Sequence, residues 1–201
     1  VTNAGQVVWR SGSAATWYWM SGARLENEPG GLVDVQVNGS VLMSSGSGAF
    51  MNRGTWRRSA GTGTFSLGSN VAFTNVGQVE AQTGSLSFGW GFESSGPFAV
   101  STGASVRLTG GTFRFQPGHS FSGGGYYGVP GGVVTIEGPI TEPDFRFDGS
   151  SLTMNGELSG TLQWSGGTLG GNWSIASNGV LNLVSNQGGW YLSGTVTNAG
   201  Q

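Results

Sequence analysis

The sequence predicts an all-β protein, a right-handed parallel β-helix (β-solenoid) of about eight coils with roughly 24 residues per coil. Two patterns carry this prediction. Short segments alternate apolar with small or polar residues, and an Asn/Gly motif returns at one phase of a longer period. Helix-forming signals are nearly absent, because 40 of the 201 residues are glycine and each glycine inside a helix costs about 1 kcal/mol.

The alternating segments are expected to be strands with one buried face. In chain order they are VDVQVNGSVLM (33–43), GTFSLG (63–68), GSLSFGWGF (84–92), ASVRLTGGTFRFQPG (104–118), GTLQWSGG (160–167) and GVLNLVSN (179–186). An antiparallel sandwich with Asn/Gly turns is the alternative architecture. Its turns would recur at 8–12 residues, without a further marker locked to a longer period.

The longer period comes from the motif apolar-x-Asn-x-Gly. The asparagines at 3, 27, 52 and 75 are separated by 24, 25 and 23 residues. An asparagine at one corner of stacked coils can bond to its copy about 4.8 Å away, and the following glycine allows a positive φ at the corner. The predicted corner positions are Asn3, Gly5, Asn27, Asn52, Gly54, Asn75, Gly77, Asn172, Asn198 and Gly200.

The chain is interpreted as one solenoid domain over 1–201. The hexapeptide VTNAGQ occurs at 1–6 and again at 196–201. Residues 1–195 are therefore interpreted as one long unit of a tandem array, and 196–201 as the start of the next unit. Residues 119–150 are expected to form degenerate coils with a loop insertion, because prolines and the stretch SGGGYYGVPGG (122–132) fall there.

The amino-acid composition argues against several classes of function. The net charge is −2, only 9% of residues are charged, and Arg53, Arg57 and Arg58 form the one basic cluster, so no nucleic-acid partner is expected. The absence of cysteine removes disulfide and zinc–thiolate chemistry. No apolar run approaches the length of a membrane-spanning helix, which is about 18 residues or more, so no membrane span is expected.

The segment GTLQWSGGTLGGNWSIASNGVLNLVSNQGGWYLSGTVTNAG (160–200) resembles the degenerate repeats of large bacterial extracellular β-helix proteins. These are autotransporter passengers, filamentous-haemagglutinin-like adhesins and giant surface repeat proteins. The likeness is clearest over 1–92 and 151–201. It implies a right-handed parallel β-helix and a secreted or cell-surface location in a bacterium, and it transfers no active site.

Some parallel β-helices are enzymes acting on acidic polysaccharides, so ionisable groups need a separate test. His119 is the one histidine, in PGHSFSG, and the acidic residues are densest at Glu137, Glu142, Asp144 and Asp148. Paired carboxylates can act as general acid and base or hold Ca²⁺. Their position beside prolines favours solvated loop charges, and we predict no catalytic residue, no metal and no cofactor.

Aromatic residues form the other candidate surface. The segment TWYWM places Trp17 and Trp19 on one face of a strand, and FGWGF places Phe88 and Trp90 on one face together with Phe92. Trp190 and Tyr191 are added by GWYL. Such rows either fill the core or stay exposed as contacts for glycans or for another subunit, and both interpretations remain open.

The leading hypothesis is a structural segment of an extracellular bacterial fibre, stalk or adhesin that polymerises or continues end to end. Its expected partner is itself, by end-to-end or lateral assembly, and it is not expected to be an enzyme. The alternative is a carbohydrate-binding β-helix module that uses exposed aromatic rows on surface glycans. A polysaccharide lyase or hydrolase centred on His119 and the acids of 137–148 is the third hypothesis.

Overall fold

In a computed structural model, residues 1–10, 15–142, 144–148, 151–184 and 189–199 are described, and they contain 25 strands. In chain order these are β1 (Thr2–Asn3), β2 (Gln6–Trp9), β3 (Ala15–Trp19), β4 (Arg24–Asn27), β5 (Leu32–Val35), β6 (Gly39–Met43), β7 (Gly48–Asn52), β8 (Thr55–Arg58), β9 (Thr64–Leu67), β10 (Val71–Asn75), β11 (Gln78–Ala81), β12 (Ser85–Phe88), β13 (Gly91–Ser94), β14 (Phe98–Val100), β15 (Ser105–Leu108), β16 (Thr112–Phe115), β17 (Phe121–Ser122), β18 (Tyr126–Val129), β19 (Val133–Glu137), β20 (Phe145–Phe147), β21 (Ser151–Leu158), β22 (Thr161–Trp164), β23 (Gly167–Ile175), β24 (Val180–Leu183) and β25 (Trp190–Asn198).

These strands form three parallel sheets, which are the sides of a β-solenoid. Over the described residues, sheet A has ten strands in the order β1-β4-β7-β10-β13-β16-β19-β21-β23-β25. Sheet B has six, in the order β2-β5-β8-β11-β14-β17. Sheet C has nine, in the order β3-β6-β9-β12-β15-β18-β20-β22-β24. Neighbours in each sheet come from successive coils, so the predicted all-β parallel solenoid is confirmed.

The coils are slightly shorter and more numerous than the sequence period suggests. One register column of sheet A begins at Asn3 and reaches Gly194 in nine steps. The mean coil therefore has about 21 residues, near the short end of the periods found in solenoids. The predicted number of eight coils is close to the nine steps observed. The right-handed sense stays a prediction.

The coils shorten from the step between Asn75 and Ser94 onward, and the last coils also lose one side. The first coils repeat after 24, 25 and 23 residues, whereas the register partners Asn155 and Asn172 are only 17 residues apart. Among the described residues sheet B ends at β17. From β21 onward the sheet A strands lengthen to eight or nine residues and connect to sheet C without a separate sheet B strand.

The core is a set of apolar columns that follow the solenoid axis. Phe50, Phe73, Phe92 and Phe113 are register partners on successive strands of sheet A, and all four are buried. Their rings meet edge-on or tilted, with centroids 5.0 to 5.9 Å apart, the arrangement that aromatic quadrupoles favour. Stacking therefore aligns like side chains into one continuous core.

The stretch 122–132, expected to be an inserted loop, contains strand β18 of sheet C. Tyr127 and Val129 alternate inward on this strand and are buried. Gly128 lies between them, and a Cβ at this position would meet the ring and hydroxyl of Tyr126. The glycine thus makes room for an aromatic side chain on the outer face, and does not mark a loop.

Candidate functional site

The four asparagines of the early coils form one hydrogen-bonded ladder. Asn3, Asn27, Asn52 and Asn75 end strands β1, β4, β7 and β10 at the corner between sheets A and B. Each Nδ2 donates to the Oδ1 of the next asparagine, at 2.8, 2.8 and 2.7 Å. Asn75 Nδ2 then donates to Ser94 Oγ at 3.0 Å.

The same amides also tie the two sheets together. Asn3, Asn27 and Asn52 donate to the carbonyl oxygens of Leu32, Thr55 and Gln78, respectively, at 2.9 to 3.0 Å. These acceptors belong to the next coil, at or beside the start of its sheet B strand. A buried amide group is costly unless it is hydrogen-bonded. The ladder therefore stabilises the corner only if each asparagine is hydrogen-bonded to the ladder residue of the next coil.

Beyond the first two coils, the glycine two residues after a ladder residue allows close stacking. A Cβ at Gly54 would meet the carbonyl oxygen of Gly31, one at Gly77 would meet that of Gly54, and one at Gly96 would meet that of Gly77. The expected reason, a positive φ, is wrong, since Gly5, Gly54 and Gly77 do not have left-handed backbone angles. What the corner requires is clearance between successive coils.

The later predicted corner positions lie elsewhere. The ladder column continues from Ser94 through Phe115, Ile136 and Met154, all buried and apolar. Asn172 is exposed and lies beside Asn155 and Thr195, one residue beyond this column. Asn198 pairs in register with Ile175, four residues past Gly194. Gly200 lies outside the described residues.

Two corner residues were missed by the sequence motif. Ser94 closes the ladder in the sequence Phe92-Glu-Ser94-Ser-Gly96, which keeps the motif spacing with serine in place of asparagine. Relaxing the motif to small hydrogen-bonding residues finds it. Arg58, at the corner between sheets B and C, has no such signal, because it stands beside two other arginines in a stretch that resembles a solvated edge.

Arg58 is fully buried and is coordinated by oxygens from three coils. Its guanidinium donates to the carbonyl oxygens of Val37 (2.7 Å), Gly61 (3.1 Å), Gly63 (3.0 Å) and Thr83 (3.1 Å). It also donates to Asn38 Oδ1 at 2.7 Å. Burial lowers the pKa of Arg58, but these acceptors satisfy its donors and hold the corner together.

The candidate aromatic residues separate into three groups. Trp19 and Phe88 are buried in the core, so they are not available to a glycan or to a second subunit. Trp17, Trp190 and Tyr191 lie on the strands β3 and β25 at the two ends of the solenoid. Trp90, which is 50% exposed, lies on the side of the solenoid.

Trp90 faces outward because it stands in a corner between two strands. Alternation across FGWGF places it with Phe88 and Phe92, but β12 ends at Phe88 and β13 begins at Gly91. Gly91 has a φ of 110°, and a Cβ there would meet the backbone of Thr112 in the next coil. The chain therefore changes direction at Gly89–Trp90, and period-2 alternation does not extend across the bend.

The ionisable residues of 119–148 do not converge on one site. His119 is buried against Phe115 and Phe121, with Nδ1 2.9 Å from the Gln116 carbonyl oxygen, and burial lowers its pKa. Two of the acidic residues of this stretch have local partners. Asp144 accepts two hydrogen bonds from Arg146, at 3.0 and 2.8 Å, and Glu137 accepts one from Asn155.

Glu142 is a buried carboxyl group held by a neighbouring threonine. Its oxygens accept hydrogen bonds from the Thr141 backbone N–H and hydroxyl, each at 3.2 Å. Burial raises its pKa, and these hydrogen bonds offset only part of that effect. Within the described ranges, no group of three or more His, Asp or Glu residues is placed to hold a metal ion.

No protein-family model, curated protein or solved structure matches this chain. In the part of the chain that is described, no helix has the length and apolar character needed to cross a bilayer. The class of the protein therefore follows from its architecture, which is that of a parallel β-solenoid with a buried asparagine ladder.

Gly77→Ala tests the clearance between coils. We expect it to lower the free energy of unfolding by about 2–3 kcal/mol, because its methyl group would overlap the Gly54 carbonyl oxygen. Gly5→Ala is the matched control, since nothing lies within 4 Å of its Cβ position, and it should change stability by less than about 0.5 kcal/mol. Equal effects in urea denaturation would contradict the stacking argument.

Asn52→Ala tests the ladder. It removes the donor to Asn75 Oδ1 and the acceptor of Asn27 Nδ2, so it leaves polar groups buried without their partners. We expect a loss of about 2–4 kcal/mol in the free energy of unfolding. Asn172→Ala, on the exposed face of the same sheet, should change stability by less than about 0.5 kcal/mol. A neutral Asn52→Ala would show that the ladder does not stabilise the corner.

Glu142→Gln tests the buried carboxyl group by its pH dependence. The pKa of Glu142 is raised in the folded state, so folding favours the protonated form, and stability falls as pH rises above the unfolded value of about 4.5. The glutamine variant should therefore be more stable than the unaltered protein at pH 8 and similar to it near pH 4. Parallel stability curves across this range, measured by thermal unfolding, would disprove the assignment.

Proposed function

We propose that this chain is a structural segment of an extracellular bacterial fibre, stalk or adhesin, in which the solenoid continues end to end into another unit. One observation carries the proposal. Leu169 is completely buried in the core of sheet A, but its register partner Leu192, in the last coil, is 58% exposed. The interior column thus reaches the end of the solenoid as an apolar surface that one more coil would cover.

The same change occurs on sheet C. Trp164 is buried, and its register partner Leu183 on β24 is 58% exposed. Together with Leu192 and the half-buried Val196, Leu183 makes the last coil apolar on its interior side. These side chains continue the core columns but are exposed at the end of the solenoid. They favour addition of a further strand layer, because each CH₂ group that becomes buried stabilises the contact by about 0.8 kcal/mol.

The opposite end is also apolar. Trp9 and Trp17 meet edge to face there, with ring centroids 5.5 Å apart, and Trp17 packs on the buried Trp19 at 5.3 Å. Trp17 is register partner to the buried Val41, so it faces the interior side, and it remains partly exposed. Two apolar ends of one solenoid are complementary in chemistry and can meet head to tail.

Sheets A and C provide the backbone for such an addition. Sheet A runs from β1 at one end to β25 at the other, and sheet C from β3 to β24. The strand pairs at both ends of these sheets are parallel. A second copy of the chain would therefore pair its β1 with β25, and this head-to-tail contact repeats without closing, which gives a filament.

The repeated hexapeptide supports the proposal of a tandem array with a unit of 1–195. Thr2–Asn3 and Val196–Asn198 both lie on sheet A, at its opposite ends, and Asn198 lies four residues past the register column that begins at Asn3. The extracellular bacterial location is supported by the low charge, the absence of cysteine and the resemblance to secreted β-helix repeats. The proposal contains no catalytic step and no cofactor.

Leu192→Lys tests end-to-end continuation. A lysine there places a charge on the apolar end surface, so we expect concentration-dependent association to weaken at least about tenfold. Tyr191→Lys is the matched control, because Tyr191 is 65% exposed on the same strand but points away from the interior, and association should persist. Sedimentation velocity measures both variants.

Electron microscopy of the unaltered chain at high concentration should show filaments with an axial repeat of about 48 Å, which is the ten strands of sheet A at the spacing of stacked strands. Monomers at every concentration would contradict self-association. Equal association of Leu192→Lys and the unaltered chain would place the contact elsewhere.

A second candidate function, carbohydrate binding, is favoured by one observation. Trp90 is exposed on the side of the solenoid, away from both ends. Of the aromatic residues predicted to contact glycans, Trp90 and the surface around it therefore remain as the candidate binding site on the side of the solenoid.

A further inference from the structure

The outer face of sheet A carries a shallow trough beside Trp90. Its floor consists of small residues. Ala49 and Ala72 are register partners on β7 and β10, and Gly91 begins the next strand, β13. The side chains of Ala49 and Ala72 end at Cβ, so the trough follows the solenoid axis over three coils.

Trp90 stands where two grooves of this trough meet. One groove, of about 350 Å³, is lined by Ala72, Thr74, Trp90, Glu93 and Arg114, among other residues. The other, of about 290 Å³, is lined by Arg24, Ala49, Asn70, Ala72 and Trp90, among other residues. The indole thus forms a wall shared by both grooves, and the floor continues past it from one to the other.

The rim of the trough is polar and carries both signs of charge. Arg24 and Arg114 supply guanidinium donors, Glu93 supplies carboxylate acceptors, and Thr74 and Asn70 add neutral hydrogen-bonding groups. Among the described residues, none of these three charged side chains makes an ion pair within 4.0 Å. Glu93 and Arg114 are register partners on β13 and β16, so opposite charges lie side by side on the rim, and both can hydrogen-bond a ligand in the trough.

This combination defines a ligand chemistry. A flat apolar ring beside donors and acceptors suits a molecule with an apolar face and a hydroxylated rim, which is the chemistry of a pyranose sugar. Opposed charges on the rim disfavour an anionic polymer, which would approach Glu93, and a cationic one, which would approach the arginines. An uncharged sugar can use both kinds of group as hydrogen-bond partners.

We propose that the sheet A trough binds an uncharged linear polysaccharide, with one pyranose ring stacked on Trp90 and the glycan chain lying along the solenoid axis. Neighbouring sugar units then lie over the small-residue floor on either side of the indole. This site is on the side of the solenoid, so binding is independent of the end-to-end continuation proposed above.

Affinity electrophoresis tests the proposal with the complete chain. The probes are four soluble neutral polymers (hydroxyethyl cellulose, xyloglucan, galactomannan and mixed-linkage β-glucan) and, for comparison, polygalacturonate. We expect at least one neutral polymer to retard the protein and polygalacturonate not to do so. No retardation by any neutral polymer, or retardation by polygalacturonate alone, would overturn the proposal.

Three variants locate the site. Trp90→Ala should weaken binding about tenfold or more through loss of the stacking surface. Ala72→Leu should do the same with the indole intact, because it fills the floor. Val76→Ala is the control, since Val76 is exposed just beyond the other end of β10, outside both grooves, and binding should be unchanged. Unchanged binding in Trp90→Ala and Ala72→Leu, with circular dichroism showing both folded, would overturn the assignment.

Discussion

Every position in this solenoid must be compatible with its own counterpart one coil away, because stacked strands lie only about 4.8 Å apart. This constraint explains which residues repeat. A buried amide can meet its copy and satisfy it, since one amide carries both a donor and an acceptor, and the ladder from Asn3 to Asn75 uses this property. Apolar rings can also meet their copies, as the phenylalanine column of sheet A does.

Charged residues meet the same constraint by alternating in sign. On the outer face of sheet B, Asp34, Arg57 and Glu80 are register partners on successive strands, and Arg57 Nη2 lies 3.3 Å from Asp34 Oδ2. Arg58 has Val35 and Ala81 as register partners, and it instead takes carbonyl oxygens from three coils. The low charge content of the chain is consistent with this geometry, because like charges on adjacent coils would be destabilising.

The same reasoning separates what the sequence could predict from what it could not. The spacing of Asn3, Asn27, Asn52 and Asn75 directly reports coil length, so the fold and the ladder follow from it. The coils shorten from the step between Asn75 and Ser94 onward, where serine replaces asparagine. From Phe115 to Met154 the column is apolar, so no residue type in the sequence marks the corner or reports the shorter coils. Extrapolating the early period therefore placed Asn172 in the ladder, although it is an exposed residue. The sequence pattern also placed Trp90 on the same face as Phe88 and Phe92, because the alternation of inward and outward side chains does not continue through a bend between strands.

The bend also explains why the side of a solenoid can vary while its core cannot. A change within an interior column alters contacts with the coils on both sides, but a corner side chain that turns outward leaves the ladder and the apolar columns intact. Trp90 follows β12 and precedes β13, and Gly91 provides the local geometry that turns it away from the core. Corners of this kind are where a repeating scaffold can acquire a single non-repeating surface feature without loss of stacking. In this chain that feature stands beside small residues on sheet A, where a bulky side chain at Ala49 or Ala72 would close the trough.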